Sequence, residues 1–249
     1  MKSLVFAANW KMNQPPADAE AFLRHFTAQY ARQQDRRVLF FPPAVSLHVV
    51  VREIERRSDL GAGVQNIHWE DKGAFTGETS AALARGAGAR YVLVGHSERR
   101  HVFGETDAET GKKVAACVKA GLVPMLCVGE TLAEREAGKT VEVVLRQLRA
   151  GFEGVEAASV ASAMVAYEPV WAIGTGKNAT PQDAGEVHAA IRAELIKLVG
   201  ERAGAVSILY GGSVNRGNVE ALIAVDDVDG VLVGGASLDA EGWLTIVRS

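Results

Sequence analysis

The chain has 249 residues, 48% of them hydrophobic, and a net charge of −3 from 27 basic and 30 acidic side chains. Charge this balanced excludes the basic excess of a nucleic-acid binder and the polybasic block of a membrane-surface protein. No apolar run approaches the ~18–20 residues of a membrane span. Cys117 and Cys127, the two cysteines, sit among apolar neighbours in no metal or redox spacing, the pattern of free core thiols in a reducing compartment. The opening MKSLVFAANWK starts like a secretory signal, but its apolar run stops at Asn9 and Lys11, short of the ~7–15 residues such a segment needs. A soluble cytoplasmic protein is expected.

Taken in chain order, the first strand is LVFAAN, Leu4–Asn9. Ala17–Gln33 follows as a helix, with Ala21, Phe22, His25, Phe26 and Tyr30 at helical spacing. Then come the strands VLFFPP (Val38–Pro43), AGVQN (Ala62–Asn66), YVLVGH (Tyr91–His96) and PMLCVG (Pro124–Gly129). Thr131 and Glu134 have the spacing of a capping box opening a helix. AMVAYE (Ala163–Glu168) is the sixth strand, and Thr180-Pro181 reads as an N-cap followed by proline in the first helical position. SILYGG (Ser207–Gly212) and GVLVGG (Gly230–Gly235) complete eight strands. Most are apolar at consecutive positions, as strands covered on both faces must be. Eight β–α alternations without a Pro/Ser/Gly linker predict an α/β fold, a single (β/α)8 barrel over residues 1–249, with eight parallel strands and an outer ring of helices. A doubly wound open sheet is the alternative, weakened by the lack of G-x-G-x-x-G after the first strand.

In such barrels chemistry sits at the C-terminal ends of the strands. Those ends carry Asn9 and Lys11, Gln65 and Asn66, His96 followed by Ser97-Glu98-Arg99, Glu168, Gly211 to Ser213, and Gly234 and Gly235. One cation, one imidazole and one carboxylate therefore share a face with two glycine turns. Glycine turns that lead into helix starts present N–H groups to an anion, so a phosphorylated substrate is expected. No His/Cys/Asp cluster has metal-ligand spacing, and neither metal nor cofactor is expected.

NWKMN (Asn9–Asn13), GAFTGE (Gly73–Glu78), GHSERR (Gly95–Arg100), AYEPVWAIGTGK (Ala166–Lys177), YGGSV (Tyr210–Val214) and GVLVGGASL (Gly230–Leu238) stand in the order and spacing of one family. On these stretches the chain resembles triosephosphate isomerase over essentially its full length. The resemblance implies interconversion of dihydroxyacetone phosphate and D-glyceraldehyde 3-phosphate, with Glu168 as base and His96 as a neutral imidazole polarising the carbonyl. Lys11 would stabilise the enediolate and phosphate charge, and Asn9 would bind substrate oxygens. The amides of Gly174, Ser213, Gly234 and Gly235 would cradle the phosphate. Pro169, Val170, Trp171, Ala172, Ile173, Gly174, Thr175, Gly176 and Lys177 would form a lid. A dry pocket is expected to raise the Glu168 pKa.

By the same resemblance GAFTGE would enter a second copy of the chain, bringing Thr76 near Asn9 and Lys11 of a homodimer. Gln65, Glu78 and Arg99 would be polar interface residues and Glu98 would support Lys11. Gln14-Pro15-Pro16 departs from the family's commoner pattern at a subunit contact. Two other readings compete: a different phosphosugar barrel enzyme of epimerase or lyase type, and a non-catalytic phosphate-binding protein. The joint presence of Lys11, His96 and Glu168 argues against both.

Overall fold

The computed structural model describes residues 3–173 and 179–249. Eight parallel strands, β1 (Leu4–Asn9), β2 (Arg36–Phe41), β3 (Leu60–Val64), β4 (Tyr91–Val94), β5 (Val123–Val128), β6 (Met164–Tyr167), β7 (Ser207–Tyr210) and β8 (Gly230–Val233), follow one another around a closed barrel. Closure comes from β1 pairing with β8 through Val5↔Gly230 to Ala8↔Val233. All eight expected strands are present. β2 starts two residues earlier than its apolar run, because Arg36 and Arg37 pair with Leu4 and Val5 at the barrel's foot.

Alternate residues serve two apolar layers, which is why the strands read as continuous apolar runs. Val5, Ala7, Leu39, Phe41, Leu93, Met125, Cys127 and Ala166 fill the interior, while Phe6, Phe40, Val92, Leu126 and Val165 join the layer beneath the helices. Interior volume is matched locally. A Cβ on Gly63 would come within 2.4 Å of the Phe41 ring, and one on Gly61 within 2.7 Å of Tyr91, so β3 gives its space to bulky neighbours. Both cysteines are buried and free.

The first helix runs from Pro16 to Gln29, and its buried stripe is Ala19, Phe22, Leu23 and Phe26. Ala21 and His25, expected on that stripe, face solvent; His25 instead bonds Glu241 of the last helix, Ala240–Arg248. The two capping expectations hold. Thr131 and Glu134 form a reciprocal capping box, and Thr180 caps the helix Pro181–Val199 with Asp183 as its reciprocal partner.

Candidate active site

The site begins with Trp10, fully buried against Phe22 and Phe40 at ring-centroid distances of 5.1 and 5.7 Å, its indole N–H donating to the Ser237 carbonyl. Lys11 next to it takes φ +50°, a left-handed conformation that costs a side-chain-bearing residue about 1–2 kcal/mol. Its neighbours hold it there. The Lys11 N–H donates to Asn9 Oδ1 at 3.0 Å, and Gln65 Nε2 donates to the carbonyls of Lys11 and Phe41, each at 2.8 Å. The lysine side chain crosses Gly234, where a Cβ would approach Cε to 3.1 Å, and its ammonium donates to Glu98 Oε1 at 2.7 Å. Glu98 thus braces Lys11.

Beyond the end of β4, His96 is the N-cap of the helix Ser97–Val102 and its Nδ1 accepts the Glu98 amide at 3.2 Å. Its Nε2 lies 2.9 Å from Glu168 Oε1 and 3.1 Å from Asn9 Nδ2. Glu168, 2% exposed, follows directly on β6, and its Oε2 accepts the Ser97 N–H at 2.8 Å. A Cβ on Gly211 would meet Glu168 Cγ at 2.9 Å, so that glycine makes room for the carboxylate stem.

Burial by itself would raise the Glu168 carboxyl. The His96 ring, through charge and hydrogen bond, and the Ser97 amide outweigh it and hold the carboxyl below its ordinary value. This reverses the expected raised pKa. A dry pocket was legible, whereas the two donors that reach Glu168 from the β4 loop were not. For His96, burial pulls the pKa down and the carboxylates of Glu168 and Glu98 pull it up, with a net rise. Nδ1, however, already accepts a backbone N–H, and a proton there would face that donor at 3.2 Å. In a neutral ring the proton sits on Nε2 and is donated to Glu168, which is then held down by hydrogen bonds rather than by ring charge, and the Asn9 amide nitrogen 3.1 Å away finds no acceptor on that atom.

Asn9, Lys11, His96 and Glu168 share a cavity of about 350 Å³ with Ser213, Gly234 and Gly235. Gly235 opens a 3-10 turn, Gly235–Ser237, whose first N–H groups have no partner within the turn. A larger cavity of about 550 Å³ lies at the opposite end of the barrel, lined by Arg56, Arg57, Arg85 and Arg90. It holds no imidazole or thiol, so chemistry rather than volume selects the smaller one.

The strap after Glu168 starts with Pro169 at φ −62°, followed by the 3-10 turn Val170–Ala172 and by Ile173, which lines the cavity. Gly174, Thr175, Gly176 and Lys177, and with them one expected phosphate amide, lie outside the described residues. The strap's root reveals a residue that sequence reasoning missed. Glu130, fully buried at the end of β5, accepts the Tyr167 hydroxyl at 3.1 Å and the Trp171 indole N–H at 2.8 Å. Applying the strand-end rule to β5 as well would have found it.

Thr76 and Glu78 are exposed on the excursion after β3. Gln65 is turned inward to the Lys11 loop, and Arg99 pairs with Glu105 at 3.3 Å while stacking over Phe103.

The model of a protein family described as triosephosphate isomerase matches residues 4–249. Among curated proteins, the triosephosphate isomerase of Moorella thermoacetica is 49% identical over 251 residues, covering 100% of this chain and 99% of that one. The proteins of the same name from Syntrophotalea carbinolica and Caldanaerobacter subterraneus subsp. tengcongensis are 47% and 46% identical, each covering 100% of this chain and 98% and 100% of their own.

Proposed function

The chain belongs to the triosephosphate isomerase family, and from that premise we propose that it interconverts dihydroxyacetone phosphate and D-glyceraldehyde 3-phosphate at the mouth of the barrel, as an isomerase of glycolysis and gluconeogenesis. The observation that carries the assignment is the buried Glu168 carboxylate, 2.9 Å from His96 Nε2, in one cavity with the Lys11 ammonium.

The chemistry follows from charge. A proton α to a carbonyl is weakly acidic, so its removal requires stabilisation of the enediolate as it forms. Glu168 is the base that moves the proton between adjacent carbons. His96, neutral, polarises the carbonyl through its Nε2–H, and Asn9 and Lys11 supply a donor and a fixed cation to the developing oxyanion. Both Glu168 oxygens are bonded to protein donors, and these bonds depress its pKa. Exchanging them for a substrate carbon removes that depression while burial remains, so the carboxylate becomes a stronger base as it engages. Ser213, Gly234, Gly235 and Gly174 offer backbone amides to the phosphate. Neither metal nor organic cofactor is needed in this scheme. A coupled assay with D-glyceraldehyde 3-phosphate tests it; turnover should persist in chelator, and absence of isomerisation by folded protein refutes it.

A homodimer and a cytoplasmic location belong to the same proposal. Met12, Val45, Phe75, Leu83, Val102 and Phe103 are all exposed and all lie on or near the loops and helices after the first four strands. Large apolar side chains concentrated in this way favour a self-association surface. Among the described residues no helix is long and apolar enough to cross a membrane. A solution mass near that of one chain at micromolar concentration refutes the dimer.

A further inference from the structure

The base assignment leaves one question open: what fixes the backbone of Glu168? The β5–β6 ladder runs past the strand ends, with Glu168 N–H donating to the Val128 carbonyl at 2.7 Å and Val170 N–H to the Glu130 carbonyl at 3.1 Å. Between these two rungs lies Gly129. A Cβ built on it would fall 1.8 Å from the Glu168 carbonyl oxygen and 3.3 Å from its Cα, so the backbone of the base rests directly on this residue. On its other side Gly129 has no strand partner, because the β4–β5 register ends at Val94↔Leu126. Both of its peptide groups are met instead by one side chain. Gly129 N–H donates to Gln147 Oε1 at 2.7 Å, and Gln147 Nε2 donates back to the Gly129 carbonyl at 3.2 Å. Gln147 is 4% exposed and sits on the helix Thr140–Phe152. That helix packs close to β5: a Cβ on its Gly151 would come 2.3 Å from the Leu126 side chain.

We propose that Gln147 is a positioning residue for isomerisation: its amide clamps the Gly129 peptide against which the Glu168 backbone is seated, and so sets where the base stands. The inference rests on the reading of Glu168 as base. Without the clamp, a buried N–H and C=O lose their partners and Gly129 is free to shift toward solvent or toward new acceptors. Glu168 moves with it, while the Lys11 turn and the glycine turns after β7 and β8 are untouched.

The test compares wild type, Gln147→Met, Gln147→Glu and Glu168→Gln in the isomerase assay. Q147M keeps the length of the side chain and removes both hydrogen bonds. Its kcat is expected to fall at least ~10-fold, since sub-ångström to ångström misplacement of a reacting group is costly, with KM within about twofold of wild type because the amides of Ser213, Gly234 and Gly235 lie on other strand ends. Substrate deuterated at the carbon that loses its proton should show a larger isotope effect on kcat in Q147M than in wild type. A partly unfolded population would lower activity without changing KM or the isotope effect. Q147E keeps the 2.7 Å acceptor and sets its second oxygen against the Gly129 carbonyl, so its kcat should lie between those of wild type and Q147M. If Q147M does not fold, Q147E decides alone by the same readouts. Wild-type kcat and isotope effect in the folded variants overturn the inference. A Q147M that loses KM but not kcat does the same. If E168Q retains turnover, the base assignment itself fails, a result distinguishable from an inert E168Q beside an unaffected Q147M.

Discussion

Replacing Glu168 by aspartate removes one methylene and leaves the charge. The carboxylate then retreats by about one C–C bond, ~1.5 Å. Its two contacts, 2.9 Å to His96 Nε2 and 2.8 Å to the Ser97 amide, both stretch beyond hydrogen-bonding range, and the reach toward a substrate carbon shortens by the same amount. A misplacement near 1 Å costs about 10²-fold in rate. A loss of ~10²–10³ in kcat is therefore expected for E168D, about 3–4 kcal/mol of transition-state stabilisation at ~1.4 kcal/mol per decade. KM should change little, because the amides proposed to hold the phosphate, at Ser213, Gly234 and Gly235, line the same cavity but are not altered. Glu168→Gln separates charge from position: it keeps the length but cannot take up a proton, so its kcat should fall at least as far. The coupled assay measures both, with circular dichroism confirming that each variant is folded. A folded E168D within about threefold of wild-type kcat refutes the role of Glu168 as base.

Two further predictions concern the frame. Glu105 accepts the buried Lys113 ammonium at 2.8 Å, the Gly95 amide at 3.1 Å and Arg99 at 3.3 Å. Glu105→Ala leaves a buried cation with Asn66 Oδ1, at 2.8 Å, as its remaining partner among the described residues and should cost about 3–5 kcal/mol, or roughly 6–20 °C in Tm for a chain of this size; a Tm unchanged by calorimetry contradicts it. Arg149, opposed by burial and helped by Lys197, holds the Glu194 carboxyl at about 2, down from its ordinary 4.5. A depressed folded pKa contributes stability above the unfolded value and loses it as pH falls toward the folded one. The Tm gap between wild type and Arg149→Ala should thus be widest above pH 4.5 and close as pH falls toward about 2. A gap independent of pH would show that Arg149 acts through packing alone.

The barrel was legible because its strands are apolar on both faces, a signal that survives without knowledge of what covers them. β3 was the hardest to bound, since Gly61 and Gly63 carry no side chain and are explained only by Leu39, Phe41 and Tyr91 across the sheet. The first helix was found but its stripe was misassigned. Phe22, Phe26 and Tyr30 fit two overlapping faces, and the packed neighbours chose the one containing Ala19 and Leu23 over that containing Ala21 and His25. In the site, Asn9, Lys11, His96 and Glu168 announced themselves by standing at strand ends. The sign of the Glu168 shift did not, because it depends on the Ser97 amide and the His96 ring, contributed by a loop 71 positions away. Gln147 was invisible for a related reason: mid-helix glutamines are usually solvated, and only the missing β4 partner of Gly129 gives this one its task.

Barrel closure also sets a timetable. Val5 pairs with Gly230, and Arg248 of the last helix donates to the Gln29 carbonyl of the first. During synthesis at ~5–20 residues per second, β1 therefore waits roughly 10–45 s for its second neighbour. Throughout that interval an apolar strand edge stands open on the nascent chain, a template for pairing with any other exposed strand. No early fragment can bury it, because each new strand adds to the far edge and leaves that of β1 as it was. The ring that encloses the proposed catalytic groups thus makes the first strand the last to be satisfied, and leaves its edge open to aggregation until Gly230–Val233 has emerged from the ribosome.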